Sequence, residues 1–77
     1  MCMYKVIEST TEEIEGIVYD SFGVEVYCEN CNEYNKIADI PDVFLSRSRA
    51  EKFVDKCNKN ALSPIYLLDE IEKELSE

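Results

Sequence analysis

Histidine is absent from this 77-residue chain, and only two glycines and two prolines occur. Without histidine, imidazole acid–base catalysis and imidazole metal ligands are excluded. Gly16 and Gly23 are too few and too far apart for a loop that cradles phosphate. Basic residues are scarce as well, 8 against 17 acidic, for a net charge of -9. That balance argues against nucleic acid, whose phosphates need cationic neutralisation, and against anionic membrane surfaces. No apolar run approaches the about 20 residues that span a bilayer. Met1 to Lys5 lack the basic start and long apolar core of an export signal. A cytoplasmic location with reduced thiols is the expectation that follows.

What is present fits one small globular domain over residues 1–77, with 45% hydrophobic and 32% charged residues. A chain of this size buries a modest core, and its stability is expected at about 4–8 kcal/mol. Strands are read over 3–8, 14–20, 22–28 and 34–40, with turns at 9–13 and 29–33 and a stop at Pro41. Gly16 is read as a bulge within the second strand. The clearest pattern lies in 22–28, where Phe22, Val24, Val26 and Cys28 alternate with Gly23, Glu25 and Tyr27. The period then changes. Ala50, Phe53, Val54 and Cys57 share one face of a helix over 47–59, with Ser48 and Glu51 spaced as a capping box. Asn60 is expected to close it in the left-handed conformation. Ser63 and Pro64 open a second helix over 63–75, whose apolar face is Leu67, Leu68, Ile71 and Leu75.

The fold expected is therefore α+β, an antiparallel sheet of three or four strands followed by two C-terminal helices packed on one face. Its core is expected to hold Val6, Ile17, Phe22, Val24, Val26, Ile37, Ile40, Phe53, Val54, Cys57, Leu67, Leu68, Ile71 and Leu75. On that reading, Leu68→Asp would unfold the domain by burying an unpaired charge.

Several short motifs share a layout: Phe22-Gly23-Val24-Glu25, Ile37-Ala38-Asp39-Ile40, and a last segment opening Leu62-Ser63-Pro64 and continuing Tyr66-Leu67-Leu68-Asp69-Glu70-Ile71-Glu72. Over residues 17–75 the chain resembles an uncharacterised family of short clostridial-type bacterial proteins, a domain of unknown function. The resemblance implies a bacterial, cytosolic protein and carries no activity or site residue with it.

Few residues offer chemistry. Cys28 and Cys31 form a CxxC that supplies half of a tetrahedral zinc site. Only Cys2 and Cys57 remain to complete one, and Cys28 and Cys57 also suit the core as small apolar residues. The CxxC sits between strands, not at the helix N-terminus that thioredoxin-like chemistry uses. The acidic groups Glu12-Glu13-Glu15 and Glu70-Glu72-Glu74 are expected to be solvated faces, and the stripe Arg49, Lys52, Lys56, Lys59 to face solvent or pair with the chain's own carboxylates. With no nucleophile–base pair, no enzyme activity and no cofactor are expected. Five tyrosines are more suggestive of contact. Strand alternation puts Tyr27 and Glu25 on the sheet face away from the helices, with Tyr19 or Val18 joining them according to register. Tyrosine gives large contact area at low entropic cost, so these residues mark a candidate protein interface. The expected function is a small non-catalytic interaction or regulatory module that binds a protein partner or a second copy of itself. A cysteine-ligated zinc module is the alternative.

Overall fold

A computed structural model describes residues 1–76, the side chains of Thr10 and Glu12 excepted. Three strands, β1 (Cys2–Ile14), β2 (Ile17–Asn30) and β3 (Glu33–Phe44), precede α1 (Arg47–Lys59) and α2 (Leu67–Leu75). A single 3-10 turn, Pro64–Tyr66, leads into α2. The sheet is antiparallel in the order β1-β2-β3, and the α+β class holds.

The turn expected at 9–13 does not exist, and the strands read as 14–20 and 22–28 run on without a break between them. Glu15 (φ 51) and Gly16 (φ 81) form a two-residue turn, and positive φ at both positions matches the strand twist of a tight hairpin. Gly16 is thus a turn residue, not a bulge in a strand. The 14–20 and 22–28 segments merge into β2, and β1 runs on to Ile14 past a register shift between Glu8 and Thr10. Cys31 (φ 54) and Asn32 (φ 67) make the second turn, shorter than the 29–33 loop the sequence indicates. Nor does β3 stop at Pro41. It continues to Phe44 through an irregularity between the pairs Val24↔Ile40 and Phe22↔Phe44, where Pro41 is tolerated on an edge strand. A second register shift leaves Ile37 as the extra residue between Lys36 and Ala38, exposed and not in the core.

One sheet face carries the core. Tyr4 lies opposite Val26 and Val6 opposite Val24, and α1 covers them with Ala50, Phe53, Val54 and Cys57. Phe44 packs its ring on Phe53 at 5.5 Å between centroids. The second helix adds only Leu67 and Ile71. Leu68 is 64% exposed, and Leu75 and Ile17 are exposed too, so all three leave the expected core. In a nine-residue helix with Leu67 and Ile71 inward, Leu68 is rotated about 100° from Leu67, toward solvent. Leu68→Asp is accordingly expected to keep the fold, the reverse of the outcome the sequence indicates.

The helix ends also differ in detail. The N-cap of α1 is Ser46, whose hydroxyl accepts from the Arg49 amide at 3.4 Å, in place of a Ser48–Glu51 box. Asn60 has φ -90, and the left-handed residue is Ala61 (φ 47). Ser63 precedes the 3-10 turn without a side-chain capping bond, and Pro64 begins it.

Tyr4, read from the sequence as one of several contact tyrosines, is 2% exposed at the centre of the core. Its amide donates to Asn58 Oδ1 (2.8 Å), Asn58 Nδ2 donates to its carbonyl (3.0 Å), and its hydroxyl donates to the Leu62 carbonyl (2.6 Å). The Asn58 carboxamide thus stands in for a neighbouring strand on the β1 edge. Tyr4→Phe orphans the Leu62 carbonyl and is expected to cost about 1–2 kcal/mol in urea denaturation. A loss below about 0.5 kcal/mol would show that the hydroxyl bond contributes nothing net.

Candidate functional site

The sheet face away from the helices is a charged lattice. Tyr27 and Glu25 both lie there, as alternation requires, with Lys5 opposite Glu25 and Lys36 opposite Tyr27. The Tyr27 hydroxyl donates to Glu25 Oε2 at 3.2 Å, and Lys5 Nζ stands 5.1 Å from the Tyr27 ring centroid. Lys36 bridges Asp39 at 2.9 Å and Glu25 at 3.5 Å. Partial desolvation, then the bond to Glu25, raises the Tyr27 hydroxyl above its usual value. The Asp39 carboxylate, through its hydrogen bond, raises the Lys36 ammonium. These groups occupy one another, so the face is not an open apolar patch.

Tyr19 is elsewhere. It lies eight residues before Tyr27 on β2, about 27 Å away at 3.4 Å per strand residue. There the sheet has only two strands, because the β2–β3 pairing ends at Phe22↔Phe44 while β1 and β2 stay paired down to Ile14↔Ile17. The result is a two-stranded arm reaching beyond the body of a molecule 48 × 26 × 17 Å in extent. Its apolar residues are open: Ile14 54%, Ile17 56%, Val18 61% and Tyr19 42% exposed. Tyr19 and Ile17 alternate onto one arm face and Val18 onto the other. Thr11 Oγ1 donates to Asp20 Oδ1 at 2.9 Å across the arm, and where the arm meets the body Ser21 Oγ donates to Asp42 Oδ1 at 2.5 Å. Of the expected interface residues, then, the fold brings Tyr27 and Glu25 together and sets Tyr19 apart with Ile14, Ile17 and Val18. Sequence reading missed Ile14 and Ile17 as surface residues and offered Val18 only as the alternative to Tyr19. The available signal was Glu15-Gly16 flanked by isoleucines, a two-residue hairpin turn between β-branched residues.

The cysteines are also rearranged. Register sets Cys2 opposite Cys28 with Cα atoms 4.0 Å apart, and the two are joined by a disulfide. The expectation of reduced thiols fails for this pair, and the bond takes up the Cys28 sulfur that a CxxC zinc site would use. Cys31 is exposed in its turn and Cys57 is buried. Among the described residues, no three His, Cys, Asp or Glu side chains are grouped to hold a metal ion. Of the Glu12-Glu13-Glu15 cluster, the Glu12 side chain lies outside the described residues. Glu70 and Glu74 pair with Lys56 at 4.0 and 3.7 Å, and Glu70 with Lys73 at 3.4 Å, so part of the basic stripe meets the second helix. Arg49 donates to the Glu74 carbonyl at 3.0 Å, and Arg47 pairs with Glu8. A hollow of about 150 Å³ beside Cys57 is smaller than the about 300–1,000 Å³ of ordinary ligand pockets. Among the described residues, no helix is long and apolar enough to cross a membrane.

Burial, followed by the nearby Glu70 carboxylate, pushes the Cys57 thiol up to about 11. A thiol reagent at neutral pH is therefore expected to modify Cys31 at once and Cys57 only on unfolding. Because the folded value lies above the usual 9.0, stability from this group is full below pH 9 and lost between pH 9 and 11. Two fast-reacting thiols in the native, non-reduced protein would contradict this burial.

A family model described as a family of unknown function (DUF6514) matches residues 1–77, beyond the 17–75 over which the resemblance was read. No curated protein and no solved structure matches the chain.

Proposed function

The chain belongs to this family of unknown function, and on that footing we propose a small non-catalytic protein-interaction module whose contact element is the β1–β2 arm. One observation carries the reading: Ile14, Ile17, Val18 and Tyr19 stand exposed together on a projecting ribbon. Ile14, Ile17 and Tyr19 are contiguous on one arm face, and such exposed apolar groups on a small domain mark contact sites, because burying them against a partner releases the free energy of removing apolar surface from water. Tyr27 and Glu25 have a lesser part, since contact there must first break their bonds to each other and to Lys36.

Ile17→Lys tests the reading. Ile17 makes no core contact, so the midpoint of thermal unfolding is expected to move by less than about 4 °C. Proteins that co-purify with the parent from host cells are expected to be lost from the variant, since a charge at an interface centre is hard to desolvate. Identical partners for both proteins would remove the arm as contact element.

A cytoplasmic location belongs to the same reading, and the Cys2–Cys28 bond weighs against it, because reducing compartments rarely keep structural disulfides. Alkylation of free thiols in intact cells, followed by mass spectrometry, separates the two. The zinc alternative requires that bond to be opened first. Elemental analysis of the reduced protein, with about one zinc per chain lost on Cys31→Ser, is the result that favours it.

A further inference from the structure

We propose that the arm receives an extended segment of a basic partner protein as an added strand along the open edge of β2, Ile17 to Asp20. This rests on the arm being the contact element and names what it takes. Three features of the arm converge on that occupant.

The first is the edge itself. The partner β3 ends at Phe22↔Phe44 and reaches Ser21 through the Asp42 carboxylate, so β2 continues over the four residues Ile17–Asp20 with β1 on one side only. The alternation that aims the backbone groups of Val26 and Val24 at β3 aims those of Val18 and Asp20 at the same, now open, side. An unpaired row of amides and carbonyls is a template for another strand. The second is stability. A two-stranded ribbon is marginal in water, and three strands with an apolar face are needed to hold one. A third strand completes what β3 completes elsewhere in this sheet.

The third is charge. Residues 10–21 contain Glu12, Glu13, Glu15 and Asp20 and no lysine or arginine. A second copy of the arm would set like charges side by side, which destabilises strand pairing. A strand with lysine or arginine on one face meets Glu13 and Asp20, which share the arm face of Val18 through the pairs Glu13↔Val18 and Thr11↔Asp20. Apolar residues on its other face meet Ile17 and Tyr19. The segment accepted therefore alternates basic and apolar side chains. The body edges are less open. Asn58 occupies the β1 edge at Tyr4, and the irregularities at Ile37 and Pro41 break the β3 edge.

The probe is a synthetic decapeptide of alternating lysine and valine, with alternating lysine and proline as a control of equal charge that cannot pair. Amide hydrogen exchange on the full chain is expected to slow at least tenfold at Val18 and Asp20 with the first peptide and to stay unchanged with the second. Val18→Pro removes an outward-facing amide that makes no ladder bond, so the fold is expected to persist while peptide affinity falls at least tenfold. Equal slowing by both peptides, slowing confined to β3, or undiminished binding by Val18→Pro overturns the inference. So does a parent that dimerises in sedimentation and is made monomeric by Val18→Pro, which would assign the edge to a second copy. If captured partners are lost with Ile17→Lys but kept with Val18→Pro, the arm remains the contact element and strand addition falls. If both variants keep them, both readings fall.

Discussion

Gly23→Ala is expected to cost about 3 kcal/mol and to lower the thermal midpoint by about 12–24 °C. A Cβ at this position would lie inside the van der Waals distance of the Ile40 carbonyl oxygen, and 2.8 Å from both Pro41 Cα and Ser9 Oγ. Two of these neighbours are backbone in the irregular stretch of β3, where Asp42 sits at φ 56 and its amide donates to Ser9 Oγ at 3.1 Å. They have no rotamer to change, so the strand itself must move, and with it the Val24↔Ile40 and Phe22↔Phe44 pairs that hold Phe44 in the core. Against a total of about 4–8 kcal/mol, that is a large fraction. Gly16 provides the control. It has nothing within 4 Å of an added Cβ and φ 81, so Gly16→Asn, which suits the left-handed region, is expected to stay within about 1 kcal/mol. A urea series that places Gly23→Ala as close to the parent as Gly16→Asn would refute the close approach of β3 at Gly23.

Reduction of the Cys2–Cys28 bond is expected to cost about 2–4 kcal/mol. The bond closes a loop with a sequence separation of 26, and loop-closure entropy for that length gives a value near the top of this range. The unfolded chain gains freedom when the loop opens, whereas the folded chain keeps Cys2 and Cys28 opposite each other through the rest of the β1–β2 ladder. The effect should therefore appear as lower stability of the same fold, with the amides of Met3 and Tyr4 exchanging faster at the loosened end. Thermal melts with and without a phosphine reductant measure it, and the Cys2→Ser, Cys28→Ser double variant should melt with the reduced parent. Cys31→Ser should change neither curve. Superimposable melts under oxidising and reducing conditions would show that the ladder alone holds the end of β1. If cells hold this bond reduced, the protein works with about half of its stability, which connects the compartment to the fold.

Several features were legible because local chemistry dictates them. The 22–28 alternation identified the inner face of β2 correctly, since a central strand covered on one side only must alternate. The 47–59 helix was legible from Ala50, Phe53, Val54 and Cys57, whose spacing buries all four against the sheet. The outer position of Tyr27 and Glu25 follows from the same alternation. Their mutual hydrogen bond and the two carboxylates on Lys36 do not, because those depend on which residues of β1 and β3 lie beside them.

The amino-acid sequence by itself determined the class of fold, the order of strands before helices, the strongly acidic surface and the absence of imidazole chemistry. Each of these depends on composition or on a period of two or 3.6 within one segment. Only the tertiary structure decided where β1 turns, that Cys2 meets Cys28, that Tyr4 is core while Leu68 is surface, and that Tyr19 stands on an arm with Ile14, Ile17 and Val18. The physical reason is common to all of them. A two-residue turn at Glu15-Gly16 sets the register of every pair along β1 and β2, and register is a relation between segments that no single segment encodes. The length by which β1 and β2 outrun β3 is what leaves an edge open, and that length is set by where β3 must bend into α1 to bury Phe44 beneath Phe53.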